Sequence, residues 1–257
     1  MNKKTILDST IIIVVFVIAF YGMRLVTDLF NFTYNSLYLK IAVYYLWWII
    51  PTVIICGFLF GFKKIAYHIG LNKGILTGLV FAIITVMPML ISSAINGKIN
   101  TELNITGLLQ KTVFAGLMEE YLFRGYLFGL LFRKLKWGFV PASIIGAVIF
   151  ASGHIYQGSS LSEVLGVFFV TFIGAIWFAW LYIEWNYNLW VAVFLHIFMN
   201  LSWTLFDISS NASGNLYANI FRIITIALTI IITIKYPEKK KLIINRNNLI
   251  INKSNTM

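Results

Sequence analysis

The chain reads as an all-α, polytopic integral membrane protein, a single bundle of about eight transmembrane helices. Three features carry that reading. Of its 257 residues 60% are hydrophobic and 11% charged, with a mean hydropathy of +0.85, whereas soluble domains are nearer half apolar and a quarter charged. Apolar runs of roughly 18 to 25 residues, enough to cross a hydrocarbon core as helices, recur along its length. Lysines and arginines mostly flank those runs rather than interrupt them, as membrane orientation requires.

The spans fall at roughly 9–27, 41–62, 75–95, 107–132, 139–157, 161–183, 188–206 and 217–235. Polar residues and breakers fill the connections: Asn31 to Asn35, Lys63-Lys64, Asn96-Gly97-Lys98, Arg133 to Lys136, Gln157 to Ser160 and Asp207 to Asn215. Pro51 and Pro88 lie inside spans, where proline kinks a helix. Lys3 and Lys4 precede the first apolar stretch as in a signal peptide. That stretch is long for an h-region, however, and no A-x-A-like site follows, so an uncleaved helix is expected. No internal repeat or low-complexity segment divides residues 1–257, which form one transmembrane domain. The tail from Pro237, with Lys239, Lys240 and Lys241, is expected to be a basic, exposed end.

A net charge of +11 would suggest nucleic acid in a soluble protein. Here it reads as a topology signal and a contact with anionic membrane lipid, with no nucleic-acid partner. Eight spans put both termini on one side, together with Lys3, Lys4, Lys63, Lys64, Lys73, Arg133, Lys134, Lys136, Lys235 and the 239–241 lysines. The other side has Lys40, Lys98 and Lys111, with Arg24 and Arg222 near helix ends. The positive-inside rule then places both termini in the cytoplasm. Trp47, Trp48, Trp137, Trp185 and Trp190 fall near span ends, as interfacial aromatics do. The lone cysteine, Cys56, rules out an internal disulfide and reads as a small buried hydrophobe.

The fourth span carries Glu119, Glu120 and Arg124 inside an otherwise apolar run. Ionisable groups held in a membrane are costly, and function is their default reading. Glu120 and Arg124 are i, i+4 neighbours on one helical face, so Glu120 has a built-in counter-ion. Glu119 lies about 100° around the helix and is free to face another one. A charge cluster that only pins helices together would need a single pair and would leave the second acid unpaired. His154 ends the run Phe150-Ala151-Ser152-Gly153-His154 late in the fifth span. His196 lies within the seventh, with Asn200 one turn later on the same face. Taken alone, a membrane histidine is more often a packing residue, and His68, in a basic loop, is expected to be solvated. Together, Glu119, His154, His196 and Asn200 can supply a base, hydrogen-bond donors and water-binding groups to one cavity.

In this order and on separate helices, Glu119-Glu120-x-x-x-Arg124, Phe150-x-x-x-His154 and His196-x-x-x-Asn200 resemble the CAAX protease and bacteriocin-processing (CPBP, or Abi) family of intramembrane proteases, which includes the Rce1-type prenyl-protein endopeptidases. The resemblance covers roughly residues 110–205; the first three spans carry no signature. It implies a membrane endopeptidase in which Glu119 activates a water with help from His154, while His196 and Asn200 bind the developing oxyanion. Glu120 and Arg124 are then supporting residues. The family is usually labelled metalloprotease, and a metal-free glutamate and histidine mechanism is the alternative. The residue types allow both. Glu119, His154 and His196 can hold Zn2+ or another divalent metal with water in the fourth position, or can hold a water without metal. The implied partner is a membrane-associated peptide or protein substrate.

Other chemistries fit less well. There is no His-Glu-x-x-His pair and no Gly-x-Gly-Asp stretch. Ser152 with His196 imitates a rhomboid-like dyad but leaves both glutamates unexplained. An ion-coupled transporter would use buried Glu, Arg and His as a relay, yet the inverted repeat common in such proteins is absent. A non-catalytic bacteriocin-immunity or scaffold protein is a third reading. The Ile-, Lys- and Asn-rich composition suggests a bacterial chain, whose substrate would be a bacteriocin or signalling-peptide precursor rather than a prenylated CAAX protein. The charge-based topology puts His154 near the outer end of its span, with Glu119 and His196 near mid-depth. Either the span boundaries near 133–160 lie elsewhere, or the substrate enters from the bilayer or the outer side.

Overall fold

A computed structural model describes residues 2–31, 33–235 and 241–253. In chain order its helices are α1 (Lys3–Phe30), α2 (Leu37–Phe60), α3 (Ile75–Asn96), α4 (105–133), α5 (Phe139–Ser152), α6 (Leu161–Glu184), α7 (Leu189–Leu205) and α8 (Leu216–Lys235). Six are long and apolar enough to cross a membrane: α1, α2, α3, α6, α8, and α5 with its continuation to Gln157. α7 is a shorter apolar helix, and α4 is a run interrupted by two wide turns. Phe58, Ile95, Ile173 and many other large apolar side chains are exposed, which suits an outer surface facing lipid. The protein is a multi-pass helical membrane bundle.

Local chemistry sets the helix ends. Asn2, Ser36, Ser160 and Asn188 cap α1, α2, α6 and α7 by accepting backbone N–H bonds from Thr5, Leu39, Glu163 and Trp190. The Glu163 carboxylate reaches back to the N–H of Ser159 at 2.8 Å, which completes a reciprocal cap. Pro51 lies inside α2, where it has no N–H to give the Trp47 carbonyl one turn earlier; the Thr52 hydroxyl beside it donates to the next carbonyl, Trp48 O, at 2.6 Å.

Packing between α3 and α7 is the most extensive in the bundle, followed by α4 against α7 and then α5 against α6. The core gathers around α4, where Leu122, Tyr126, Leu127, Leu130 and Leu131 are fully buried. The connections sort onto two faces. On one, the backbone N–H groups of Lys98 and Asn100 donate to the carbonyls of Phe206 and Leu205, and Ala212 N–H donates to the Gln157 side chain. On the other, Leu189 N–H donates to Gly70 O, Arg133 Nη1 donates to Tyr67 O, and Trp137 Nε1 donates to Ser9 Oγ.

Four expectations need correction. His68 is not solvated: it is buried, with Nε2 3.0 Å from Phe60 O, because the connector between α2 and α3 folds inward. The α-helix of the fifth span stops at Ser152, so His154 stands in the turn beyond it. Trp47 lies within α2 rather than at its end, and its indole N–H donates to Ile18 O on α1. The tail is not a free end. Pro237, Lys239 and Lys240 lie outside the described residues and Lys241 is exposed, but Asn248 and Asn252 are buried. The Glu184 carboxylate accepts the N–H groups of Ile243 and Ile244 at 3.0 and 2.9 Å. Phe139 and Val140 N–H donate to Asn248 O and Leu249 O. Backbone polar groups near the α5 start and at Glu184 thus find partners in this strap, as buried ones must.

Candidate active site

The acids stand where α4 departs from regular geometry. Ala115 N–H reaches back to Gln110 O and Gly129 N–H to Arg124 O, both i to i−5 bonds of the kind that recur at functional sites. The wide turns flank Ala115–Glu120 and reset the direction of the side chains that follow. Gly116 supplies the close approach to α7: a Cβ there would lie 2.6 Å from Ile197 Cγ1 and 3.0 Å from Ile197 N. Without a side chain at 116, the residue beside His196 comes within reach of the turn that carries both glutamates.

Three charges meet at Glu120. Its Oε1 lies 3.1 Å from Arg124 Nη1 and accepts the Nδ1–H of His196 at 2.7 Å. Glu120 and Arg124 are almost fully buried. Their pairing inside the bundle limits the cost of holding either charge away from water. The Arg124 guanidinium sits between Phe150 and Phe178, 4.9 and 5.2 Å from their ring centroids, a cation–π arrangement that strengthens when desolvated.

Glu119 differs. Its side chain is 23% exposed, against 1% for Glu120. Its Oε2 lies 3.9 Å from His196 Nε2 and makes no hydrogen bond among the described residues. With Nδ1–H committed to Glu120, Nε2 of His196 donates a second bond only as the imidazolium. In that form two carboxylates and two cations balance within the cluster. Tyr45, on α2, lies within electrostatic reach of Glu119 and packs on Phe114 of α4 with ring centroids 6.0 Å apart.

His154 is joined to the cluster through its neighbours. Its Nδ1–H donates to Phe150 O at 2.7 Å, so that in the neutral imidazole Nε2 is the acceptor. Its ring lies 4.4 Å from that of Phe150, the same phenylalanine that faces Arg124. Asn200 donates from Nδ2 to Lys111 O at 2.9 Å, in the first wide turn of α4. Among the described residues no three His, Cys, Asp or Glu side chains gather as ligands for a metal ion. Glu119 and His196 stand together, and His154 completes no triad with them, so no step below passes through a metal.

Phe178 and Tyr45 carry no signal in the sequence. Both sit in apolar helices where an aromatic side chain is ordinary, and only the packing shows which charges they face. Phe150 was visible as part of its motif, but its contact with Arg124 was not.

The family profile described as "Type II CAAX prenyl endopeptidase Rce1-like" matches residues 101–202, a range that holds Glu119, Glu120, Arg124, His154, His196 and Asn200. No curated protein matches the chain. Over that segment, which carries the charged cluster, the chain is similar to the Rce1-like CAAX endopeptidases.

Proposed function

We propose that the protein hydrolyses a peptide bond of a membrane-associated substrate with a water activated by Glu119. The observation that carries this reading is the division between the acids: Glu120 is buried and held through Oε1 by Arg124 and His196, while Glu119 is partly exposed, has no such counter-ion contact and stands 3.9 Å from His196 Nε2. Glu119 removes a proton from water, and the resulting hydroxide attacks the scissile carbonyl carbon. The imidazolium form of His196, oriented by Glu120, and the amide of Asn200 donate to the oxyanion that develops. Nε2 of His154 accepts a hydrogen bond that helps hold the water. Collapse of the tetrahedral species breaks the C–N bond, and the proton on Glu119 passes to the departing amine.

The reaction needs no metal in this scheme, so activity of the purified enzyme is expected to survive strong chelators. Loss with chelator and recovery with added zinc would overturn that part. The substrate class is a bacteriocin or signalling-peptide precursor, and the basic flanks put both termini in the cytoplasm. The experiment is a comparison of precursor processing in membranes bearing wild type or Glu119→Ala. Products present only with wild type support the mechanism, and equal processing by both sinks it, a non-catalytic immunity role then being the better account.

A further inference from the structure

We propose that the site is entered from the outer face of the membrane, so that its substrate is an extracytoplasmic stretch of a membrane-anchored or exported peptide rather than a cytoplasmic tail. This rests on the peptidase reading above and narrows its substrate class.

Depth is the first argument. At about 1.5 Å per residue, Glu119 lies roughly 21 Å from Arg133 at the end of α4. On the same measure Ser152, the last helical residue before His154, lies about 20 Å from Phe139 at the start of α5. Arg133 and Phe139 are joined by the short 134–138 connection, so the acid and the histidine sit at similar depth, far from that face. The α5 boundaries therefore stay close to those read from the sequence, and it is the direction of entry that has to be reconsidered. His154 opens directly into the turn Ile155–Gln157. Asn200 is little more than one turn from the end of α7 and bonds to the backbone of exposed Lys111. The polar groups of the site thus lean toward the face of the 97–104, 153–160 and 206–215 connections.

The opposite face is closed. Ile69, in the inward connector, is fully buried, and a Cβ on Gly125 would come within 2.4 Å of its Cγ2. Tyr182 Oη donates to Ile69 O at 3.0 Å, and Arg133 reaches Tyr67 O at 2.7 Å. This plug lies between the charged cluster and the face where the C-terminal strap docks on the α5 start.

Charge gives the orientation. Of 20 Lys and Arg, Arg24, Lys40, Lys98, Lys111 and Arg222 lie toward the site's face and Arg124 lies in the bundle. The other described ones, by their places in the chain, flank the plugged face. Positive-inside bias makes the plugged face cytoplasmic, and the open one external.

The test is single-cysteine labelling of the full-length protein in a Cys56→Ala background, which removes the one native thiol. Intact cells are treated with a membrane-impermeant maleimide before and after permeabilisation. Lys98→Cys and Glu119→Cys are expected to label in intact cells, and Lys63→Cys only after permeabilisation. The reverse pattern for Lys98→Cys and Lys63→Cys overturns the orientation. Glu119→Cys that labels only from the inner side, or from neither, overturns the entry route. Asn200→Cys serves as the second site probe should Glu119→Cys fail to accumulate, and is judged by the same outcomes. Labelling needs no turnover, so its failure is separable from failure of the peptidase reading, which Glu119→Ala tests by itself.

Discussion

At the scale of single residues, two adjacent glutamates have unlike surroundings, and this predicts unlike phenotypes. Glu119→Gln keeps the size of the side chain and removes the base. Cleavage is expected to fall by about 10²- to 10⁴-fold, the usual contribution of a positioned base, while insertion and thermal stability stay close to wild type. Glu120→Ala and Arg124→Ala each leave one buried charge without its partner. Breaking a buried pair costs about 3–5 kcal/mol, so both should lower the unfolding temperature in detergent as well as activity. The double variant should lose less than the sum of the two, because it abandons no lone charge. Unchanged unfolding temperatures in both single variants would undo the assignment of the pair as a brace. Part of this was readable from spacing. Positions 120 and 124 share a helical face in any α-helix, and 119 does not. The bond from His196 to Glu120 was not readable, because sequence order says nothing about which acid a histidine on another helix meets.

At the scale of helices, the site depends on how closely α7 approaches α4, and Gly116 is the point of contact. Gly116→Val would drive a branched side chain into Ile197, whose Cγ1 already stands 2.6 Å from the position of a Cβ. The helices must part, and a shift near 1 Å at a catalytic group can cost about 100-fold. The variant should therefore lose cleavage though every charged residue is kept. Ile197→Ala in the same chain should restore part of it, the remainder being lost to the Ile197 N and Val193 O atoms at 3.0 and 3.3 Å. No recovery would place the fault elsewhere than in this contact. The helices themselves were legible because apolar length is enough to mark a span. The wide turns of α4 were not: i to i−5 bonding leaves no composition of its own, and Gly116 reads like any glycine in a membrane helix. The span to Gln157 was legible too, but not that its α-helix gives way at Ser152, since Gly153 and His154 continue an apolar run while the chain has already turned.

Over the whole molecule, the inward connector and the C-terminal strap form a second structural centre on the face away from the charged cluster. Hydropathy could not show it, because Lys and Asn in the tail look solvated while their backbone groups are paired. The α5 start and the loop before it lean on this strap. Asn252 donates through Nδ2 to Phe132 O at 3.0 Å and through its backbone N–H to Lys136 O at 3.1 Å. Phe139 and Val140 N–H take Asn248 O and Leu249 O, which satisfies donors that a helix start cannot satisfy internally. Glu184, fully buried at the end of α6, holds the strap by two N–H groups. Glu184→Ala withdraws both acceptor oxygens, and a buried group left unsatisfied costs about 1–3 kcal/mol. Hydrogen exchange at Ile243 and Ile244 should accelerate, with smaller rises at Phe139 and Val140. Thermal stability should fall while kcat changes little, since Glu184 lies about 9 Å along α6 from Phe178, the α6 residue that faces Arg124. If exchange at 139–140 stays at the wild-type rate while that at 243–244 rises, the strap covers the bundle without supporting it. If kcat falls together with stability, the strap also holds α5, and with it His154, in place.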